Sequence, residues 1–456
     1  MRGILASSIG VTCAAALALP LAPPATAADP GPAPTAEAAT RAAVTAQHDV
    51  PGSTQSLPLR PLTRDRASGS AVLGLAPRAV RHFSLLGVIW DDPADELHGR
   101  VQVRTRAAGT GGWTGWQDVE THYSDHGADP DSAEGSSDGV HGATAPLWVG
   151  ESDGVEVRVQ PGPGAEEPGA EEPEGGDHSV LPPGLRLELV DPGDDTQESP
   201  RSGPMSAEVS AASAVNSALA PLGATEIPAL NGEQTREELL TLRGARLTEQ
   251  QRAKPYIGPR PAVVTRRGWG ADESLRETRF VYTSKVKAAF VHHTASGNNY
   301  TCAQAPSLIR GFYRYHVSSL GWRDIGYNFL VDKCGRIYEG RAGGVAKAVK
   351  GAHTLGFNTN TTGIAVIGSY GSKKPSASAV KAVARLTAWK LGLYGMNPRG
   401  KTYLTSGGGN LYRKGKKVRL NVISGHRDGF NTSCPGGKLY KKLGTARTTA
   451  ARYQGR

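Results

Sequence analysis

The chain has 456 residues, with 52 Lys and Arg against 42 Asp and Glu, enough for two domains with linkers and at least one large core. The net charge of +10 is unevenly spread: residues 257–456 carry 34 basic against 7 acidic side chains, about +27, and the remainder is about −17. Only the amino end holds a long apolar run, which excludes a polytopic membrane protein.

Met1 and Arg2, the apolar run from Ile4 to Leu21 and the small-residue pattern Ala25-Thr26-Ala27 predict a secretory signal peptide over 1–27. Pro20, Pro23 and Pro24 interrupt that run, so no membrane span is expected after cleavage. Cleavage would leave Cys302, Cys334 and Cys434. In an exported protein, a Cys302 to Cys334 disulfide would leave Cys434 single and available for chemistry. Closing that loop contributes roughly 3 to 4 kcal/mol in the chain-entropy model. An exported basic domain favours a polyanionic partner, and cell-wall polymers with their stem-peptide carboxylates and phosphates fit better than nucleic acid.

Residues 28–79, rich in Ala, Pro and Thr, read as a disordered linker. Over 80–195 short apolar runs alternate with Gly, Asp and Pro turns, at Phe83 to Trp90, Val101 to Arg104, Leu147 to Val149, Val155 to Val159 and Leu185 to Val190. They predict a small all-β module, of sandwich type, whose role the pattern leaves open. Trp113 and Trp116 suit either sugar stacking or packing. The GAEEP repeat within 161–178 predicts an acidic disordered insert. Residues 196–256 read as a second linker.

From 257 to 456, strands interleave with helices and predict a mixed α/β domain. The strand Val286 to Val291 delivers His292 and His293, which point to opposite faces, and alternation does not say which is functional. Pro306 opens a helical pattern through Leu308, Ile309, Phe312, Tyr315 and His316; Asn328 to Val331 and Arg336 to Tyr338 suggest a hairpin; Ile364 to Ile367 is a further strand, and Ser376 caps a helix. The basic run Arg413 to Arg419 reads as a solvated loop. At NVISGHRDGFNTSCPG, residues 421–436, an apolar run breaks at Gly425 into a polar loop. Cys434 then falls at a helix start with Pro435 in first position, where free amides and the helix dipole would favour a thiolate. His426 and Cys434 could serve one zinc ion. Two ligands do not make a site, and a structural His beside a buried Cys is the alternative.

The segments VHHTASGNNYTC (291–302), GWRDIGYNFLVDKCGRIYEGR (321–341), GAHTLGFNTNTTGIAVIGSY (351–370) and GHRDGFNTSCPG (425–436) together resemble the peptidoglycan recognition protein and type 2 N-acetylmuramoyl-L-alanine amidase family, over 261–443. The resemblance implies a C-terminal mixed central β-sheet flanked by helices, beside the separate smaller all-β module, with zinc (Zn2+) at the bottom of a groove for the peptidoglycan stem peptide. It places the zinc ligands at His292, His426 and Cys434, a catalytic tyrosine at Tyr327 and a polar helper at Thr432. Arg341 and Asn358 are candidate groove contacts, with a purely structural role as the alternative, and His353 reads as a groove residue or a donor behind a ligand; His316, Trp269 and Trp322 read as packing residues. The presence of the cysteine ligand favours a secreted zinc amidase that cuts the lactyl amide between N-acetylmuramic acid and L-alanine. A non-catalytic receptor is the alternative, and the absence of HExxH disfavours a zinc protease. The expected partners are peptidoglycan and anionic wall polymers, met by a wall-associated, extracellular monomer.

Overall fold

A computed structural model describes residues 52–64, 71–162, 181–193 and 205–456. The signal segment 1–27, the start of the first linker and the acidic repeat lie outside these residues. Among the described residues no helix is long and apolar enough to cross a membrane.

The β-module starts inside the stretch that composition assigns to a linker over 28–79. Its strands are β1 (Ser53–Pro58), β2 (Arg60–Arg64), β3 (Ala71–Trp90), β4 (Gly99–Ala107), β5 (Gln117–Val119), β6 (Gly142–Ala143), β7 (Leu147–Pro161) and β8 (Arg186–Asp191). They form one connected sheet in the order β1-β8-β3-β7-β4-β5, with β2 and β6 also paired to β3, rather than two separate sheets. β1 is ordered by antiparallel pairing with the distant β8, a long-range partner that local composition does not reveal. The twenty-residue β3 shifts register against β7 between Leu75 and Arg78 and again around Phe83, and bulges of this kind bend a strand. Phe83, Leu86, Val88, Val101, Val103, Val157, Val159 and Leu187 fill the module's own core.

The stretch 196–256 is not merely a linker. Its described part carries α1 (Ala207–Ala214), β9 (Glu226–Ile227), α2 (Gly232–Arg243) and α3 (Glu249–Ala253). β9 adds an antiparallel edge to the second sheet, Ile227 and Leu239 enter that sheet's core, and Asn216 donates to both carboxylate oxygens of buried Glu339 at 2.9 and 3.0 Å. Asn231 and Thr248 close capping boxes with Gln234 and Gln251, which starts α2 and α3 where Glu233 and Glu249 in their first turns suit the dipole.

The second sheet is mixed, with seven strands in the order β17-β11-β14-β12-β13-β10-β9. The remaining strands are β10 (Val263–Val264), β11 (Ala288–His293), β12 (Phe329–Val331), β13 (Ile337–Glu339), β14 (Thr361–Val366) and β17 (Ile423–Gly425), with β15 (Lys401–Thr405) and β16 (Lys417–Asn421) pairing apart. The basic run Arg413 to Arg419 thus ends inside a strand. β12 and β13 form the expected antiparallel pair, whereas β11, β14, β12 and β17 run parallel and are fully buried apolar runs. α5 (Ala377–Gly392), whose N-cap Ser376 accepts from Ala379 N–H at 3.0 Å, packs with α7 (Leu443–Tyr453) on one face. α4 (Ala305–Arg314) covers the other. A disulfide joins Cys302, beside α4, to Cys334 in the β12–β13 turn.

The β-module is not an independent neighbour. Leu85, Ile89, Trp148 and Val190 share one core with Leu308, Phe312 and Tyr315 from the α4 face. Tyr315 donates to the Thr144 carbonyl at 3.0 Å, and a Cβ at Gly87 would lie 2.2 Å from the Tyr315 hydroxyl, so this approach requires glycine.

Lys390 on α5 is buried, with Nζ donating to the carbonyls of Val345 (2.5 Å) and Lys347 (2.6 Å). Burial, aided by Arg243, lowers its pKa to about 7. Between about pH 7 and 10.4 the unfolded chain keeps a proton that the folded chain has released, so stability rises with pH there by up to about 1.4 kcal/mol per unit. Urea midpoints at pH 7 and 9 should show this rise in the natural chain and lose it in Lys390→Met; equal slopes would refute the assignment.

Candidate metal centre

The parallel register builds the centre. β17 pairs with β11 through Ala289 and Ile423, Phe290 and Ser424, and Val291 and Gly425, so the next residues in step are His292 and His426. Neighbouring strands stand about 4.8 Å apart, and the two imidazoles bring Nδ1 to 3.1 Å from Nδ1. His293 turns to the opposite face and accepts from the Tyr370 N–H at 3.2 Å, which settles the choice that alternation leaves open. The loop after β17 returns Cys434 Sγ to 3.8 Å from His292 Nδ1.

A fourth donor comes from the β-module. His126 Nε2 lies 3.9 Å from Cys434 Sγ, and donor atoms of His126, His292, His426 and Cys434 all fall within 4.8 Å of one another. A tetrahedral zinc with bonds of about 2.0 to 2.1 Å to nitrogen and about 2.3 Å to sulfur spaces its ligand atoms roughly 3.3 to 3.6 Å apart. The separations of 3.1, 3.8 and 3.9 Å lie close to that spacing without matching it, and the three imidazoles and thiol are the donor types zinc prefers. The family resemblance implies three protein ligands with an open fourth position, and in the folded chain His126 faces that position.

Two of the three imidazoles, His292 and His126, are oriented from behind, whereas His426 Nε2 is buried without a hydrogen-bond partner. With Nδ1 turned to the cluster, His292 carries its proton on Nε2, 3.3 Å from His353 Nδ1 and 3.4 Å from the Thr354 hydroxyl. His126 Nδ1 pairs with the Asp125 carboxylate at 2.7 Å, which directs its Nε2 lone pair at the centre. Burial pushes His292 well below the usual imidazole range and His426 down to about 3, so both are neutral and competent to bind a cation. The thiol differs from the expectation at Cys434. The one-turn α6 (Gly437–Tyr440) begins beyond Pro435, and burial, reinforced by the Asp125 charge, pushes the thiol well above its ordinary pKa. Helix-terminal activation is absent, and only a bound cation would make the thiolate favourable here.

Tyr327 lies beside the centre, its ring 5.5 Å from His292 and 5.8 Å from His126. Its hydroxyl is 3.4 Å from that of Tyr123, which is 2.8 Å from His316 Nε2. Gly326 N–H donates to His316 Nδ1 at 3.2 Å, so His316 holds its proton on Nε2 and gives it to Tyr123. Thr432 accepts from Cys434 N–H at 3.1 Å and reaches the Asp125 carboxylate. Of the three candidate groove residues, His353 takes the supporting position behind His292, and Arg341 and Asn358 are held by side chains of the β-module. His353 is fully buried behind His292 and contacts no open groove. Arg341 forms a bidentate pair with Glu134 at 2.7 and 2.8 Å. Asn358 holds the His353 and Thr354 N–H groups through Oδ1, and donates to the Gly127 carbonyl and Asp129. Trp269 and Trp322 are buried packing residues as expected, and Trp116 is covered by the Arg158 guanidinium at 4.1 Å, which favours packing over sugar stacking.

Sequence reasoning missed Tyr123, Asp125, His126, Asp129 and Glu134. Their signal is a stretch without strand pattern, residues 120–141, that concentrates three histidines and six acids between two strands of the β-module.

Two family models match the chain: "Rv3811 N-terminal galactose-binding domain-like" over residues 37–177 and "N-acetylmuramoyl-L-alanine amidase" over 282–437. Peptidoglycan-recognition protein SC1a of Drosophila melanogaster is 32% identical over 190 residues, 41% of this chain and 87% of that protein. Peptidoglycan-recognition protein 1 of Holotrichia diomphalia is 31% identical over 184 residues, 40% of this chain and 79% of the relative. Among solved structures, peptidoglycan recognition protein-LE in complex with tracheal cytotoxin aligns at 30% identity over 40% of this chain and 92% of that one, with a TM-score of 0.31. Behind a galactose-binding-like β-domain, this chain therefore carries a domain of the peptidoglycan recognition protein and type 2 N-acetylmuramoyl-L-alanine amidase family.

Proposed function

We propose that the chain is an exported zinc-dependent N-acetylmuramoyl-L-alanine amidase, which hydrolyses the lactyl amide between N-acetylmuramic acid and L-alanine of peptidoglycan. The observation that carries this is the convergence of His292, His426 and Cys434 donor atoms beside the Tyr327 ring. His292, His426 and Cys434 would hold the zinc, which would supply a Lewis acid and lower the pKa of a water to about 7. His353 and Thr354 fix the tautomer and ring angle of His292. Tyr327, whose phenol burial holds far above its ordinary pKa, stays protonated and can donate to the oxyanion of the tetrahedral intermediate. Thr432 holds the Cys434 backbone and so positions the sulfur. The apolar run from Ile4 to Leu21 and the basic charge of 257–456 support export to an anionic wall.

Incubation with purified peptidoglycan should release peptides with a free L-alanine amino terminus and leave the glycan intact, with activity lost to a chelator and restored by zinc. Tyr327→Phe is expected to lower turnover about a hundredfold or more while zinc content stays level. An equal fall in both would make Tyr327 structural. A non-catalytic peptidoglycan receptor is the second reading, and the fourth protein donor favours it, because four protein ligands are the pattern of structural zinc. Peptidoglycan binding without zinc-dependent release, by the natural chain and by His126→Ala alike, would select the receptor.

A further inference from the structure

The segment between β5 and β6, residues 120–141, belongs to the β-module yet lies against the amidase domain. Tyr123 stacks on His126 with ring centroids 4.5 Å apart and bonds the His316 and Tyr327 side chains. The Asp125 carbonyl accepts from Leu355 N–H at 3.0 Å. Asp129 accepts from Gly356 N–H (3.1 Å) and Asn358 Nδ2 (2.9 Å) and pairs with Lys350 at 3.1 Å. Glu134 takes both prongs of the buried Arg341 guanidinium, and Asp131 meets Lys414 at the surface. Beneath this cover His292 and His426 are 0% exposed, Cys434 and Tyr327 2% and His126 7%, so a glycan-linked peptide has no route to the centre.

We propose that residues 120–141 are a built-in inhibitor: an acidic stand-in for the stem peptide that fills the amidase groove and closes the metal centre with His126 as fourth ligand. This rests on the amidase reading of the site and adds its regulation. A hydrolytic zinc needs a position for solvent or substrate, and His126 occupies it. The carboxylates of Asp129 and Glu134 hold Lys350 and Arg341, two cations of the amidase domain. A stem peptide brings carboxylates of its own, so it can replace them without leaving buried Arg341 unpaired; a neutral competitor would have to pay that desolvation penalty. Because the inhibitor is tethered, its effective concentration is high, and the occupant that displaces it is a multivalent polymer rather than a single small fragment.

The test uses the full chain and two openings: His126→Ala, which frees the metal position, and Asp129→Lys with Glu134→Arg, which sets like charges against Lys350 and Arg341. With cobalt replacing zinc, visible absorption should ignore added azide in the natural chain and shift with it in His126→Ala. Calorimetry on the metal-free proteins should show a synthetic muramyl tripeptide binding at least tenfold tighter to the charge-reversed chain than to the natural one. An azide-sensitive spectrum in the natural chain, or equal tripeptide affinity in both, would overturn the inhibitor. If both openings succeed and neither variant releases stem peptide from peptidoglycan, the inhibitor stands and the amidase assignment falls. A charge-reversed chain that fails to fold leaves the cobalt comparison to decide.

Discussion

Cys434→Ser is expected to abolish zinc retention and turnover while leaving the fold intact. The side chain is 2% exposed, and an ion at this centre would be desolvated beside the neutral imidazoles of His292 and His426. The thiolate is then the one ligand that cancels part of the dication's charge, with the Asp125 carboxylate behind His126 cancelling more. Without the sulfur, a double charge would be buried against a single nearby carboxylate, a cost of several kcal/mol. Changes to residues that merely orient a ligand cost about ten- to a hundredfold in metal affinity, so loss of the ligand itself should cost at least about a hundredfold in affinity and turnover. Zinc content after dialysis and peptide release from peptidoglycan measure the two. Serine is nearly isosteric, so the metal-free variant should unfold at the same urea concentration as the metal-free natural chain. Normal zinc content with normal turnover would remove Cys434 from the centre.

The largest effect on stability is expected at Arg266. Its guanidinium is buried and meets Glu273 at 2.7 Å, Asp324 at 3.0 Å and the Gly340 carbonyl at 2.6 Å, with its face toward the rings of Trp269 and Tyr313. Although burial opposes the charge, Asp324 and Glu273 hold the guanidinium well above its ordinary pKa. Arg266→Met would leave Asp324 buried without its cation and Glu273 with Arg276 alone, a loss of about 3 to 5 kcal/mol. That is about a fifth or more of the stability of an ordinary domain. Arg266→Lys should recover only part, since an ammonium cannot present a planar fork to two carboxylates. Asp324 also accepts from Ile325 and Ala342 N–H, so the loss should loosen the segment that carries Tyr327 and Arg341. Urea unfolding measures it; a change below about 1 kcal/mol in Arg266→Met would contradict the network.

The chemistry-bearing residues of the amidase domain were legible in the chain because they sit in local signals. An apolar run ends at His292, another ends at Gly425 before His426, and Ser376 stands one residue before an apolar helical period. Local signals of that kind report a residue's own strand or turn. They could not report the pairing partner of a strand, which is why β1 and β9 lie in stretches whose composition reads as linker. Nor could they report burial, which reversed the expectation at Cys434: a free helix terminus would favour the thiolate, but a dry interior facing Asp125 disfavours it.

By itself, then, the sequence determined the mixed α/β class of 257–456, the opposite charges of the two halves, and His426, Cys434 and the pair His292 and His293 as candidates, of which the family resemblance singled out His292. The tertiary structure alone decided that His292 and His426 fall in step on parallel strands, that Arg341 and Asn358 are held by Glu134 and Asp129, and that His126 completes the metal centre. The physical reason is separation along the chain. Residues 120–141 have no periodicity of their own, and their conformation is set by cations and imidazoles some two hundred or more positions away that only the folded chain brings within reach.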